Sequence, residues 1–126
     1  MYKSLTAAEK VVMKAMWDSD HPLTLGETTK LLNESYGKNW KPQTVSTFIA
    51  KVVQKGFLKM IREGRRITYE ILISLEEYRA SEAQEFVEFW DKGDVAEFLS
   101  SYFYGRKAGQ EEIDRLRKAV EDLAQK

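Results

Sequence analysis

The feature that most constrains the fold of this chain is a change in the spacing of its apolar residues. The spacing is typical of a helix before residue 56 and typical of a strand after it. Before residue 56, apolar residues recur every three or four positions, at Val45, Phe48, Ile49, Val52 and Val53. After it they alternate with other residues, at Ile67, Tyr69, Ile71 and Ile73. Since a helix buries a 3.6-residue stripe and a strand a two-residue alternation, the chain must leave a helix near Gly56 and form a short sheet.

Local signals give this helix and sheet their ends. Pro42 fits the first helical position, where its missing N–H costs nothing, and Lys55-Gly56 is typical of a helix end. A helix is therefore predicted over 42–55. The strand-like segment 57–62, the glycine-containing loop 63–66 and the alternating segment that follows predict a β-hairpin.

Helical patterns fill the rest of the chain. Three segments have the form of a capping box, in which a Ser or Thr precedes a Glu by three positions, at Thr6–Glu9, Thr24–Glu27 and Ser74–Glu77. The order is three helices, a hairpin and three helices, so the predicted class is mainly α with a small β-hairpin. Three helices with a basic hairpin form a winged helix-turn-helix arrangement, predicted over 1–73, and a three-helix domain is predicted over 74–126.

Charge supports a division at the same place. The chain has 20 basic and 20 acidic residues, and a net charge of zero would by itself argue against a nucleic-acid partner. Residues 1–73, however, hold 12 basic and 7 acidic residues, a net of +5, and residues 74–126 hold 8 and 13, a net of −5. Either this is chance between two solvated surfaces, or the halves have different partners.

Composition removes several functional classes. The chain has no cysteine, which excludes a disulfide framework, a thiolate metal site and a catalytic thiol. Its one histidine, His21, lies in a predicted loop beside Pro22, and no nucleophile, phosphate loop or metal-ligand spacing stands out. We therefore expect no enzyme, cofactor or metal. With neither a signal peptide nor an apolar membrane span in view, a cytoplasmic protein is expected.

The polar face of the third helix suits DNA. At 100° per residue, the side opposite the apolar stripe carries short polar residues, of which Gln43, Thr44 and Thr47 are candidates for reading bases in the major groove. Lys51, with Ser46 at the margin, fits a phosphate contact. An ordinary solvated face is the alternative, but no acid occurs between residues 43 and 62, which favours DNA.

Basic residues flank this helix on both sides. Arg65 and Arg66 at the hairpin tip are candidates for phosphate or minor-groove contacts. Lys41 and Lys38, which precede the helix, are weaker phosphate candidates. The alternative is that these charges only keep exposed turns soluble. A rival from another class is a winged-helix adaptor that binds protein without sequence-specific DNA binding.

The last 53 residues carry more apolar surface than three short helices can bury. Small domains of this size need cross-links such as disulfides, or a partner, to be stable, so dimerisation through these helices is predicted. It would also supply two-fold symmetry for a palindromic site. The alternative is that the aromatics pack onto the first half. The candidate dimerisation residues are Phe86, Phe89, Trp90, Phe98, Leu99, Tyr102, Ile113, Leu116, Val120 and Leu123.

Several runs of sequence resemble the penicillinase repressors of the BlaI/MecI type, a family that includes the copper-responsive CopY-type repressors. The resemblance covers about residues 4–124. Its most specific part is the run Trp40-Lys41-Pro42-Gln43-Thr44-Val45-Ser46-Thr47. It also rests on Leu5-Thr6-Ala7-Ala8-Glu9, Lys55-Gly56-Phe57-Leu58, Glu63-Gly64-Arg65 and Glu111-Glu112-Ile113-Asp114-Arg115-Leu116.

The resemblance implies a homodimeric repressor that binds a palindromic operator with TACA/TGTA-type half-sites. Thr44 and Thr47 match the family's recognition-helix threonines. Members that respond to β-lactams are cut at an Asn-Phe bond after a membrane sensor protease is triggered. Ser101-Tyr102 stands at that place, but the asparagine is absent. Copper-responsive members end in a cysteine motif, which this chain lacks.

Overall fold

A computed structural model describes residues 2–125 of the chain. The described residues form a three-helix segment, a two-stranded antiparallel sheet and three further helices. In chain order the elements are α1 (Ala7–Asp18), α2 (Leu25–Ser35), α3 (Pro42–Gln54), β1 (Leu58–Glu63), β2 (Arg66–Ile71), α4 (Leu75–Asp91), α5 (Val95–Tyr102) and α6 (Gln110–Ala124).

Reciprocal side-chain caps start three of these helices, as the sequence predicts. In α1 the Thr6 hydroxyl accepts a hydrogen bond from the Glu9 N–H, and the Glu9 carboxylate accepts one from the Thr6 N–H. Thr24 and Glu27 form the same pair in α2. Ser74 and Glu77 form the same pair at the start of α4. Each box satisfies backbone donors that the first helical turn leaves without partners.

The predicted third helix and hairpin are confirmed to within a residue or two. Pro42 is the first residue of α3, and Gly56 ends it with a φ of +87°, which only glycine adopts without strain. The strands pair from Leu58 opposite Ile71 to Glu63 opposite Arg66, so only Gly64 and Arg65 form the loop. Ile73, which the predicted alternation includes, lies beyond the end of β2.

The core of the first part of the chain lies where α1, α2 and α3 meet. All three helices pack against one another, and β1 follows α3 directly. The largest fully buried side chains there include Phe57, Met13, Leu32, Ile49 and Leu58. Around them Trp17, half-buried, donates a hydrogen bond from Nε1 to the Ile73 carbonyl at 2.9 Å. This bond holds the chain where it leaves the hairpin.

The chain divides into two compact units, Met1–Glu82 and Ala83–Lys126. The first turns of α4 belong to the first unit, because Tyr78 is buried there against the rings of Trp17 and Phe57. The second unit holds the rest of α4 with α5 and α6, and none of its described residues is buried. No helix among residues 2–125 is long and apolar enough to cross a membrane.

Candidate nucleic-acid interface

Helix α3 presents one buried and one exposed face. Val45, Ile49 and Val52 are buried in the core, and Phe48 and Val53 are half-buried beside them. The predicted base-reading residues Gln43, Thr44 and Thr47 are all exposed, as are Ser46 and Lys51. The apolar stripe therefore fixes the helix and leaves an acid-free polar face in solvent.

Thr47 already makes one hydrogen bond within the helix. Its hydroxyl donates to the Gln43 carbonyl at 3.0 Å. With its proton used in this way, the Thr47 oxygen can only accept a further hydrogen bond, and its methyl group stays available for apolar contact. Because of this bond, the Thr47 oxygen can recognise an N–H donor and the Thr47 methyl group can pack on another methyl group.

The turn that leads into α3 is held by a side chain of α2. Asn33 Nδ2 donates to the Trp40 carbonyl, and the Trp40 N–H donates to Asn33 Oδ1, both at 2.9 Å. The Trp40 ring packs against Phe48 at a centroid distance of 5.0 Å, with the Lys38 ammonium 5.1 Å from the Trp40 ring centre. These contacts fix the direction in which α3 starts.

The first turn of α3 differs from the other helix starts in the described chain. Lys41 is its N-cap, makes no side-chain cap and is exposed, and no acid lies in the first turn. Pro42 has no N–H and the Thr44 N–H donates to the Lys41 carbonyl, so what remains is the positive end of the helix dipole at an exposed first turn without an internal anion. Such a helix start favours an external anion such as a phosphate.

The last turn of α3 is tied to α1 by a charge pair. Lys55 Nζ forms an ion pair with Glu9 Oε1 and donates a hydrogen bond to the Ser4 carbonyl at 2.8 Å. Burial raises the pKa of Glu9, but the hydrogen bonds from Lys55 and Thr6 outweigh it and bring the pKa below its ordinary value. Lys55, a basic residue of the acid-free segment 43–62, is therefore held by a contact within the fold.

The two wing arginines occupy different positions. Arg65 lies in the two-residue loop, is exposed and makes no ion pair with any residue from 2 to 125. Arg66 is the first residue of β2, and its guanidinium lies 3.6 Å from Glu27 Oε1 at the start of α2. Because that pair is exposed, it is weak, and Arg66 can exchange it for a phosphate.

The apolar residues of the second unit are largely exposed. Phe89 is 77% exposed and Leu123 66%, and Phe86, Trp90, Tyr102 and Val120 are also exposed. The remaining candidates are half-buried: Phe98, Leu99, Ile113 and Leu116. Ser101 and Tyr102 are the exposed last residues of α5, so the bond between them lies in a helical turn.

Comparison with known proteins decides the family. The Penicillinase repressor family profile matches residues 5–122. The chain belongs to this family. The resemblance inferred from its sequence is confirmed, and so is its class, that of transcriptional repressors and not of enzymes. Among the described residues, no group of three or more acidic, histidine or cysteine side chains could hold a metal.

Relatives match along most of the chain. The penicillinase repressor of Bacillus licheniformis is 25% identical over 118 residues, which cover 94% of this chain and 90% of that protein. The methicillin resistance regulatory protein MecI of Staphylococcus aureus (strain N315) is 22% identical over 117 residues, 92% of each.

A solved structure supports the predicted fold class. It is the solution structure of the monomeric form of Bacillus licheniformis BlaI in complex with the blaP half-operator. The match has a TM-score of 0.52 and 28% identity, and it covers 62% of this chain and 92% of that one. Mainly helical architecture with a winged-helix part is thus confirmed, and the chain is a DNA-binding repressor of this family.

The sequence-based predictions assign no role in this surface to two residues that shape it. Asn33 lies in the last turn of α2, where a polar side chain is usually a solvent contact, and only the fold shows its bonds to Trp40. Glu27 is recognisable as part of a capping box, but its second contact, with Arg66, joins residues that are far apart in sequence.

Proposed function

We propose that this protein is a homodimeric repressor that places α3 in the major groove of each half of a palindromic operator. One observation carries the proposal: the core holds α3 by Val45, Ile49 and Val52 and leaves an exposed, acid-free face with Gln43 and Thr47. The solved complex of BlaI with its half-operator supports DNA binding by the part of this chain that it matches. Because its proposed target is operator DNA, the protein is proposed to act in the cytoplasm.

The first turns of α3 are proposed to read bases. Gln43 can bond an adenine through both atoms of its amide, and Thr44 can bond a base or pack on a methyl group. Thr47, with its hydroxyl proton on the Gln43 carbonyl, accepts from a base amino group or packs on a thymine methyl. These preferences agree with half-sites of the TACA/TGTA type.

Phosphate contacts are proposed on both sides of this helix. Lys51 and Ser46 lie beside the reading face, Lys41 stands at the N-terminus of α3, and Arg65 stands at the wing tip. Arg66 joins them when it leaves Glu27. Contacts of this kind position the protein without reading sequence and weaken steeply as salt is raised.

Dimerisation is proposed to use the exposed apolar faces of the second unit. These exposed apolar residues, on a small helical unit in which none of the described residues 83–125 is buried, mark an interaction site. The two-fold symmetry of a dimer would match a palindrome. Cleavage at Ser101-Tyr102 by a sensor protease is not part of the proposal, since the asparagine of the family's cleavage bond is absent.

A gel-shift titration with a TACA/TGTA palindrome and a scrambled duplex tests the proposal. Thr47→Ala should reduce discrimination between the two by roughly 1–3 kcal/mol, the usual contribution of one base contact. Lys51→Ala should weaken binding to both duplexes alike and lower the salt slope by about one. Glu34→Ala, an exposed change on α2, is the control and should leave both properties unchanged.

One result would favour a winged-helix adaptor that binds protein instead of DNA. Dimeric protein that binds neither duplex at low salt would contradict the DNA-binding proposal, since phosphate contacts are strongest there. Equal loss of discrimination from Thr47→Ala and Lys51→Ala would contradict the assigned roles and leave the repressor itself in place.

A further inference from the structure

A groove of about 440 Å³ opens on the first unit between α1, the end of α2 and the first turns of α4. It shares no residue with the exposed face of α3 or with the wing. Its volume is within the range of small-molecule sites, which are mostly apolar with a few polar groups. Its less exposed lining is apolar and aromatic: Val11, Trp17, Tyr36, Leu75 and Tyr78.

The polar ends of two of these aromatic residues are already bonded. Trp17 donates its N–H to the Ile73 carbonyl, and the Tyr36 hydroxyl donates to Asp18 at 2.8 Å. Burial, together with the Asp18 carboxylate, raises the pKa of Tyr36 to about 12, so its hydroxyl stays neutral. The Trp17 ring also stacks on the Tyr78 ring, with the two ring centroids 5.6 Å apart. Trp17 and Tyr36 therefore offer ring surface to the groove, because their N–H and O–H groups are engaged elsewhere.

The more exposed lining is mainly cationic. Lys10, Lys14 and Arg79 line the groove with a single acid, Glu82. Lys10 pairs with Glu82 at 2.7 Å, and Lys14 pairs with Asp18 at 3.2 Å. Arg79 is exposed and makes no ion pair with any residue that the structure describes. A guanidinium beside an apolar surface is suited to a carboxylate that carries an apolar body.

We propose that this groove binds a small amphipathic anion, a planar apolar molecule with one carboxylate. The apolar body packs against Val11, Trp17 and Tyr78, and the carboxylate meets the Arg79 guanidinium. Lys14 can add a second contact because its pair with Asp18 is exposed and hence weak. The occupant would touch both α1, which packs on α3, and α4, which continues beyond the first unit.

NMR titration of the full-length protein without DNA tests this site independently of repressor activity. The probe is 2-naphthoate, with its uncharged isostere 2-naphthamide as the matched ligand. We expect 2-naphthoate to shift the Trp17 indole N–H and the amides of residues 75–82 along saturable curves. The amide should bind about fivefold more weakly, because it loses the charge pair.

Two substitutions locate the anion. Arg79→Ala should weaken 2-naphthoate about fivefold and leave 2-naphthamide unchanged, and Arg79→Lys should restore part of the loss. Arg115→Ala, on an exposed position of α6, should change neither. The proposal is overturned if the shifts are confined to α5 and α6, if both ligands bind equally, or if Arg79→Ala, with a native spectrum, binds 2-naphthoate like the wild type.

Discussion

Glu9 and Lys55 form an ion pair that joins the first turn of α1 to the end of α3. Glu9 is 1% exposed, so removing its charge leaves the Lys55 ammonium partly buried without a counter-ion. Glu9→Gln should therefore lower the free energy of unfolding by about 3 kcal/mol at pH 7, as urea unfolding would show. Glu27→Gln is the control: it alters the same position of the α2 capping box, which is exposed, and should cost much less.

The same pair predicts a dependence on pH. Because the folded pKa of Glu9 lies below its ordinary value of 4.5, the pair's contribution is complete above that pH. It is lost as the pH falls from there through the folded pKa. The stability difference between wild type and Glu9→Gln should thus shrink on acidification. A difference that stays constant down to the acid transition would contradict the assignment.

At the scale of the elements, Asn33 holds the junction between α2 and α3. Asn33→Ala leaves both the N–H and the carbonyl of Trp40 without their partner, which should cost about 1–3 kcal/mol of unfolding free energy. Operator affinity should fall as well, since α3 begins two residues later. Asn39→Ala, an exposed amide in the same turn, should change neither property. Denaturation and a gel shift on the same samples check both, and a fully stable Asn33→Ala would refute the role.

The ends of the elements could be predicted because the residues that set them are neighbours in sequence. Thr6 and Glu9 cap a helix across three positions, and Gly56 ends α3 where it stands. The exposed face of α3 could be predicted from the spacing of its apolar residues alone. The Lys55–Glu9 pair and the Trp17–Ile73 hydrogen bond join residues 46 and 56 positions apart, and no local pattern selects such partners. Ile73 matches the alternation of a strand in the sequence. In the fold it is half-buried beside Trp17 and lies outside the sheet.

At the scale of the whole chain, the net charge of zero conceals a basic winged-helix part and an acidic remainder. Three basic residues of the first part are paired with acids, Lys55 with Glu9, Lys10 with Glu82 and Lys14 with Asp18, and of the three only Lys55 is half-buried. The basic residues proposed to contact phosphate, Lys41, Lys51, Arg65 and Arg66, lie around α3 and the wing tip, and the acidic remainder of the chain repels phosphate. Non-specific DNA binding should therefore be modest, and operator affinity should depend on a small number of contacts.

Dimerisation through α6 is the prediction that belongs to the whole molecule. Ile113, Leu116, Val120 and Leu123 recur on one side of this helix, and Leu123 is 66% exposed. If a second copy covers Leu123, its burial contributes about 1.5–3 kcal/mol, so Leu123→Asp should raise the dimer dissociation constant at least about tenfold. Lys118→Ala, on the opposite side of α6, makes the same one-unit change in charge and should leave the constant nearly unchanged. Sedimentation equilibrium of the full chain at micromolar concentration measures both. A wild-type monomer there, or equal effects of the two substitutions, would show that α6 does not form the interface.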